Sequence, residues 1–158
     1  MSAHQPPLAE YALRYAREGL ESKLFTKKPL FLTVFVTARC GLNCGHCFYR
    51  EELLAGNVKD EMTLDEYDRF TTKSPPFPKL ILTGGEPFLR PDLADVAERF
   101  YENTSRARQI TIPTHVIHTD RIVALAERLL APRPDLILEL QLSIDGVGAQ
   151  HDAVRGKG

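Results

Sequence analysis

Residues 30–50 read Leu-Phe-Leu-Thr-Val-Phe-Val-Thr-Ala-Arg-Cys-Gly-Leu-Asn-Cys-Gly-His-Cys-Phe-Tyr-Arg. The run from Leu30 to Thr37 is apolar or β-branched almost without a break. That predicts a strand buried on both faces, as in a parallel sheet covered by helices. The remainder holds all three cysteines of the chain, Cys40, Cys44 and Cys47, spaced CxxxCxxC and flanked by Gly41 and Gly45. Three thiolates this close in sequence suit one metal centre and leave one coordination position free. A free position on a metal is a place for something to bind and react.

The composition says what kind of protein surrounds this loop. At 158 residues, 43% hydrophobic and 26% charged, the chain is long enough to bury one core and is globular in character. Its 20 basic and 21 acidic side chains leave a net charge of −1, so no overall field draws it to nucleic acid or to an anionic membrane. The N-terminus lacks a basic-then-apolar secretory signal, and no apolar run approaches the ~20 residues a spanning helix needs. A cytoplasmic protein is expected. There, an odd number of clustered cysteines points to metal or catalysis rather than to disulfides.

Working outward, residues 1–29 read as an N-terminal arm and helix, and residues 30–158 as the core domain. Apolar positions Leu8, Tyr11, Ala12, Tyr15, Ala16 and Leu20 recur at helical spacing up to Leu24, and Lys27-Lys28-Pro29 ends the pattern. After the cysteines comes a polar stretch, Glu51 to Glu61. Thr63 and Glu66 then form a capping box opening a helix that carries Leu64, Tyr67 and Phe70 inward. Lys79 to Thr83 is a second strand, followed by Gly84-Gly85-Glu86-Pro87. Pro91 in a first turn and Asp92 near the helix dipole start a helix with the stripe Leu93, Val96, Ala97 and Phe100. A weaker third strand covers about Gln109 to Ile112. Asp120 caps a helix bearing Ile122, Val123, Leu125, Ala126, Leu129 and Leu130, and the fourth strand runs from Leu136 to Ile144.

Strands alternating with helices and no hairpin signals mean βαβ units and a parallel sheet, an α/β fold. In the fourth strand Leu136, Leu138, Leu140 and Leu142 alternate with Glu139, Gln141 and Ser143. A curved sheet with helices outside and a polar cavity inside accommodates that pattern, as does an edge strand with one wet face. Four strands do not close a barrel. The pattern calls for a further helix and strands after Gly158, so the fold is expected to be a part of a barrel, truncated after the fourth strand.

Three strand ends carry the chemistry. The cysteine loop admits an iron–sulfur cluster with one exposed iron, or a zinc site completed by His46 or a distant histidine. The missing second ligand pair weighs against zinc. Gly84, Gly85 and Glu86 follow the second strand, where paired glycines let a ligand approach the backbone and a carboxylate can accept from an ammonium. Ser143 and Arg155 flank the end of the fourth strand, and a hydroxyl with a guanidinium can clamp a carboxylate.

Taken together, these motifs resemble the radical S-adenosylmethionine (radical SAM) superfamily: CxxxCxxC with His46 at the usually aromatic position, Thr83-Gly-Gly-Glu-Pro87 with Phe-Leu-Arg-Pro-Asp-Leu after it, and Ser143-Ile-Asp-Gly146 followed by His151 and Arg155-Gly156. The branch resembled modifies peptides and proteins or builds cofactors. The resemblance implies a partial (β/α)6 TIM-like barrel and a [4Fe–4S] cluster held by Cys40, Cys44 and Cys47. It implies S-adenosyl-L-methionine (SAM) chelating the open iron, its amino group at Gly84, Gly85 and Glu86, its carboxylate near Ser143 and Arg155, and its adenosyl group by His46. Reductive cleavage of SAM then yields a 5′-deoxyadenosyl radical that abstracts hydrogen from a small-molecule or peptide substrate, with a one-electron donor such as flavodoxin or ferredoxin. Two features depart from the family. Many relatives end the third strand in Thr-Asn-Gly where this chain has Thr114-His115-Val116, and the fifth and sixth strands are not present. A zinc-stabilised binding module and an inactive truncated remnant are the competing expectations.

Overall fold

The computed structural model describes residues 8–24, 29–55 and 58–156. Four strands, β1 (Phe31–Thr37), β2 (Lys79–Gly84), β3 (Gln109–Thr114) and β4 (Ile137–Leu142), form one parallel sheet in the order β1-β2-β3-β4. Helix α1 (Leu8–Leu24) precedes them. Helices α2 (Arg50–Ala55) and α3 (Leu64–Lys73) lie between β1 and β2, α4 (Leu93–Asn103) between β2 and β3, α5 (Thr119–Leu130) between β3 and β4, and α6 (Ala149–Arg155) follows.

The strand order decides the architecture. Parallel crossovers are right-handed, so strands laid down successively in one direction put their connecting helices on one face. A doubly wound sheet needs a reversal of order, and the described sheet has none. One-sided cover together with strand twist gives the rolled sheet of a (β/α) barrel, here four strands of it.

The register sorts the side chains accordingly. Leu32, Leu80, Ile110 and Leu138 are aligned across the sheet. They belong to the core with the buried stripes of α3 (Tyr67), α4 (Leu93, Val96, Ala97, Phe100) and α5 (Ile122, Leu125, Leu129). Phe100 is its centre, in edge contact with Tyr67, Phe70 and Phe77 at 5.9, 6.1 and 6.3 Å. Each large side chain buried there contributes about 1.5–3 kcal/mol. The next row, Thr33, Ile81, Thr111 and Glu139, faces the other way. On that inner face the Glu139 carboxylate accepts from Gln109 (3.0 Å), Thr111 (3.3 Å) and Gln141 (3.1 Å), and Lys79 lies 3.6 Å away. The polar alternation of the fourth strand therefore belongs to the concave side, and β4 is also the sheet's last described strand.

Several local expectations are corrected. β1 is not buried on both faces: Phe31 and Phe35 are 59% and 44% exposed, because the inner face has no helices over it. The stripe on α1 exists, but Ala12, Ala16 and Leu20 are exposed; the side chains of Leu8, Tyr11 and Tyr15 lie outside the described residues, as do residues 1–7 and the stop at Lys27-Lys28. Among the described side chains, Glu21 ties α1 to the rest, 2.6 Å from Arg106. Pro91 precedes the N-cap instead of entering α4, and Asp92 makes no cap bond because its carboxylate faces Arg90. His118, not Asp120, holds the N-cap position of α5, and Asp120 falls inside the first turn. Phe70 stays partly exposed while Thr71 is buried in its place. α2, α6 and the short 3-10 turns Val58–Asp60 and Pro87–Leu89 had no periodic signal, being too short to show one. The capping box on α3 forms as expected.

Candidate functional site

The chain enters the cysteine loop along a rigid path. Thr37 is buried; its hydroxyl donates to Glu61 Oε1 at 2.5 Å and accepts the Arg39 N–H at 3.0 Å, while Arg39 Nη2 pairs with Glu61 Oε2 at 3.0 Å. The pairing of β1 with β2 then continues past both strands: Gly85 N–H donates to Thr37 O (2.9 Å) and Glu86 N–H to Arg39 O (2.7 Å). A Cβ on Gly84 would lie 2.2 Å from Thr37 O, and one on Gly85 would lie 2.2 Å from Arg39 O and 2.8 Å from Leu53 Cδ2. Gly84 also has φ +132°, a backbone conformation that other residues rarely adopt. The glycine pair is thus demanded by the strand that delivers Cys40, a reason the sequence did not disclose.

Cys40, Cys44 and Cys47 are free and half-buried, and the Cys47 N–H donates to Cys44 O at 3.2 Å. Burial pushes the Cys40 thiol above its usual range. A backbone hydrogen bond from Leu42 opposes this, while negative charge at Cys44, Glu86 and Cys47 adds to it. A cationic centre relieves the burial and the nearby negative charge that disfavour the Cys40 thiolate, and three thiols on one short loop are iron–sulfur ligand chemistry, so the donor set fits such a cluster. Among the described residues, no group of three or more His, Cys, Asp and Glu side chains is gathered closely enough for a single metal ion. Beside the thiols Phe35 meets Phe48 and Tyr49, with ring centroids 6.1 and 5.0 Å apart, and Phe48 is 86% exposed.

The turn after β2 is the most firmly held part of the site. Glu86 is 1% exposed, and Thr114 Oγ1 donates to both of its carboxylate oxygens at 3.0 and 3.1 Å. The His115 N–H adds 2.9 Å and the Phe88 N–H 3.1 Å. Its carboxylate is ringed by protein donors and ties the end of β2 to the end of β3. Arg90 is buried behind it: its guanidinium donates to Val36 O and Met62 O, both at 2.6 Å, and grips Asp92. Arg90 lies within the Phe-Leu-Arg-Pro-Asp-Leu run after the glycine pair and His115 in the Thr114-His115-Val116 stretch, but neither was assigned a role, since their partners lie far away in the chain.

Ser143 lies just past β4, its N–H donating to Thr114 O at 2.9 Å. Arg155 ends α6 in an ion pair with Asp145, and His46 is exposed in the cysteine loop. A Cβ on Gly156 would stand 2.8 Å from Asn43 O, so the end of α6 packs on the cysteine loop. Electrostatic contact links Cys40 to Glu86, and His115 to both Glu86 and Arg155. Every predicted site residue therefore lies at the C-terminal edge of the sheet, where (β/α) barrels place their chemistry.

The family model of the radical SAM superfamily matches residues 34–156, and the chain belongs to that superfamily of enzymes. It is 34% identical to the Pre-heme d1 synthase of Dinoroseobacter shibae, over 83% of this chain and 30% of that protein. It is also 34% identical to the AdoMet-dependent heme synthase of Methanosarcina barkeri, over 83% of this chain and 36% of that protein. The GTP 3',8-cyclase of Cronobacter sakazakii is 36% identical over 63% of this chain and 31% of its own length. The chain spans about a third of the length of these relatives.

Proposed function

We propose that this chain holds the [4Fe–4S] cluster and the amino-acid end of SAM in a radical SAM enzyme that builds a cofactor. The observation that carries this is the meeting, at one sheet edge, of three free thiols with the buried Glu86 and the glycine pair bonded to the strand leading into them. Cys40, Cys44 and Cys47 hold the cluster. Gly84 and Gly85 let the backbone face the amino group of SAM, and the charge of Glu86 lies behind them and favours a cation there. Ser143 and Arg155 serve the carboxylate, and His46, exposed between the second and third cysteines, serves the adenosyl group. The bound cofactors supply reductive cleavage of SAM to a 5′-deoxyadenosyl radical, which takes a hydrogen atom from substrate. The names of the relatives, synthases of haem-type cofactors and a GTP cyclase, favour a small-molecule substrate over a peptide. A one-electron donor of flavodoxin or ferredoxin type and a cytoplasmic setting complete the proposal. No described helix is long and apolar enough to cross a membrane.

The experiment is anaerobic reconstitution with iron and sulfide. The expected outcome is a broad violet absorbance that disappears in Cys44→Ala, and 5′-deoxyadenosine formed from SAM and dithionite. Tight zinc uptake with no iron incorporated would replace this proposal with a zinc-stabilised binding module. A cluster without SAM cleavage would leave only a metal-binding remnant.

A further inference from the structure

At the end of β3, His115 follows the buried Thr114. The His115 side chain is only 7% exposed. Its Nδ1 accepts the Ile117 N–H at 3.3 Å, so the neutral ring carries its proton on Nε2. That Nε2 is buried, 3.2 Å from Glu86 Oε2, yet makes no aligned hydrogen bond there. The same Glu86 oxygen already receives the His115 backbone N–H. One residue thus presents both its main-chain and its ring donor to one carboxylate oxygen. The turn that achieves this is constrained: Val116 has φ 68°, a value β-branched residues avoid, and its N–H is held by Thr114 Oγ1 at 3.0 Å.

We propose that His115 is a positioning residue for Glu86. With its ring neutral, it sets Nε2–H 3.2 Å from Glu86 Oε2 and its main-chain N–H on the same oxygen, orienting the carboxylate behind Gly84 and Gly85; on taking a proton from solvent the ring places a positive charge beside that carboxylate, making the binding of an ammonium-bearing ligand proton-dependent. This rests on the assignment of the SAM amino group to that turn. The charged and titratable groups facing the ring are Glu86 from the turn after β2, His118 from its own loop with ring centroids 5.7 Å apart, and Arg155 from α6. Burial holds the ring below the ordinary histidine range; Glu86 pulls it back, and His118 and Arg155 add to the lowering. The ring is therefore held toward its neutral form relative to a free histidine.

The test is equilibrium dialysis of SAM against the reconstituted protein from about pH 7.5 to about pH 5, with cluster absorbance followed throughout. Wild-type affinity is expected to fall roughly tenfold on acidification, beyond the loss shown by His115→Gln. The glutamine keeps a donor but cannot titrate, so its affinity is expected to change less with pH than that of wild type. His115→Ala, lacking the donor, binds more weakly across the whole range. A His115→Gln profile as steep as wild type would overturn the inference, as would His115→Ala binding like wild type. Wild-type protein that carries its cluster but binds no SAM at any pH overturns the amino-group assignment itself, and this inference with it.

Discussion

The turn after β2 and the cysteine loop after β1 stand side by side at the same sheet edge, yet they are built in opposite ways. The turn is internally complete: Glu86 is ringed by donors from two segments, Arg90 by acceptors from two more, and both are buried. The cysteine loop is half-exposed, with a Cys40 thiol that burial pushes above its usual range and an aromatic side chain, Phe48, left in the open. One half of the site is organised by the protein before any ligand arrives. The other, under the proposed function, would be organised by the cluster it binds, as metal sites often are. The difference assigns stability to the first half and chemistry to the second.

The largest effect that sharpens this contrast is expected at Arg90. Arg90→Ala strands the carbonyls of Val36 and Met62 and leaves Asp92 unpaired, costing about 3–5 kcal/mol in chemical unfolding. A loss no greater than that of an ordinary surface substitution would break the contrast. Gly85→Ala comes next, at roughly 1–3 kcal/mol, because its Cβ meets the Arg39 backbone as well as the Leu53 side chain. It also displaces Arg39, so iron uptake falls with stability; uptake at the wild-type level would show that the two halves are not coupled. A smaller effect is expected with pH. The folded His115 pKa lies below its unfolded value, so the unfolded chain takes the proton first, and stability declines as pH falls from about 6.5 toward the folded value. His115→Gln removes that slope in thermal unfolding followed across the same range. The smallest belongs to Cys44→Ala, which abolishes the cluster while changing the metal-free protein by no more than ~0.5 kcal/mol. A large loss of stability without metal would mean the loop is structural after all.

The elements that were legible are those whose signal is local. The four strands, the stripe of α4 and the capping box of α3 follow from residue periodicity and from side chains that bond their own helix end. The inward polar row of β4 was also legible, because alternation is a property of one strand. What failed depended on partners. Phe31 and Phe35 look like core residues until the one-sided placement of the helices leaves their face uncovered. The stripe of α1 says that a face is apolar, not what covers it.

The site divides in the same way. By itself the sequence determined the cysteine triad, the glycine pair and the fourth-strand motif, since ligand spacing and turn chemistry are written in consecutive residues. Only the tertiary structure decided what those glycines are for, which acceptors hold Arg90, and that Glu86 answers to Thr114 and His115. The physical reason is distance along the chain. A hydrogen bond between residues 28 or 54 positions apart leaves no trace in the local order of residues, and it exists only because parallel strands bring their ends to one edge.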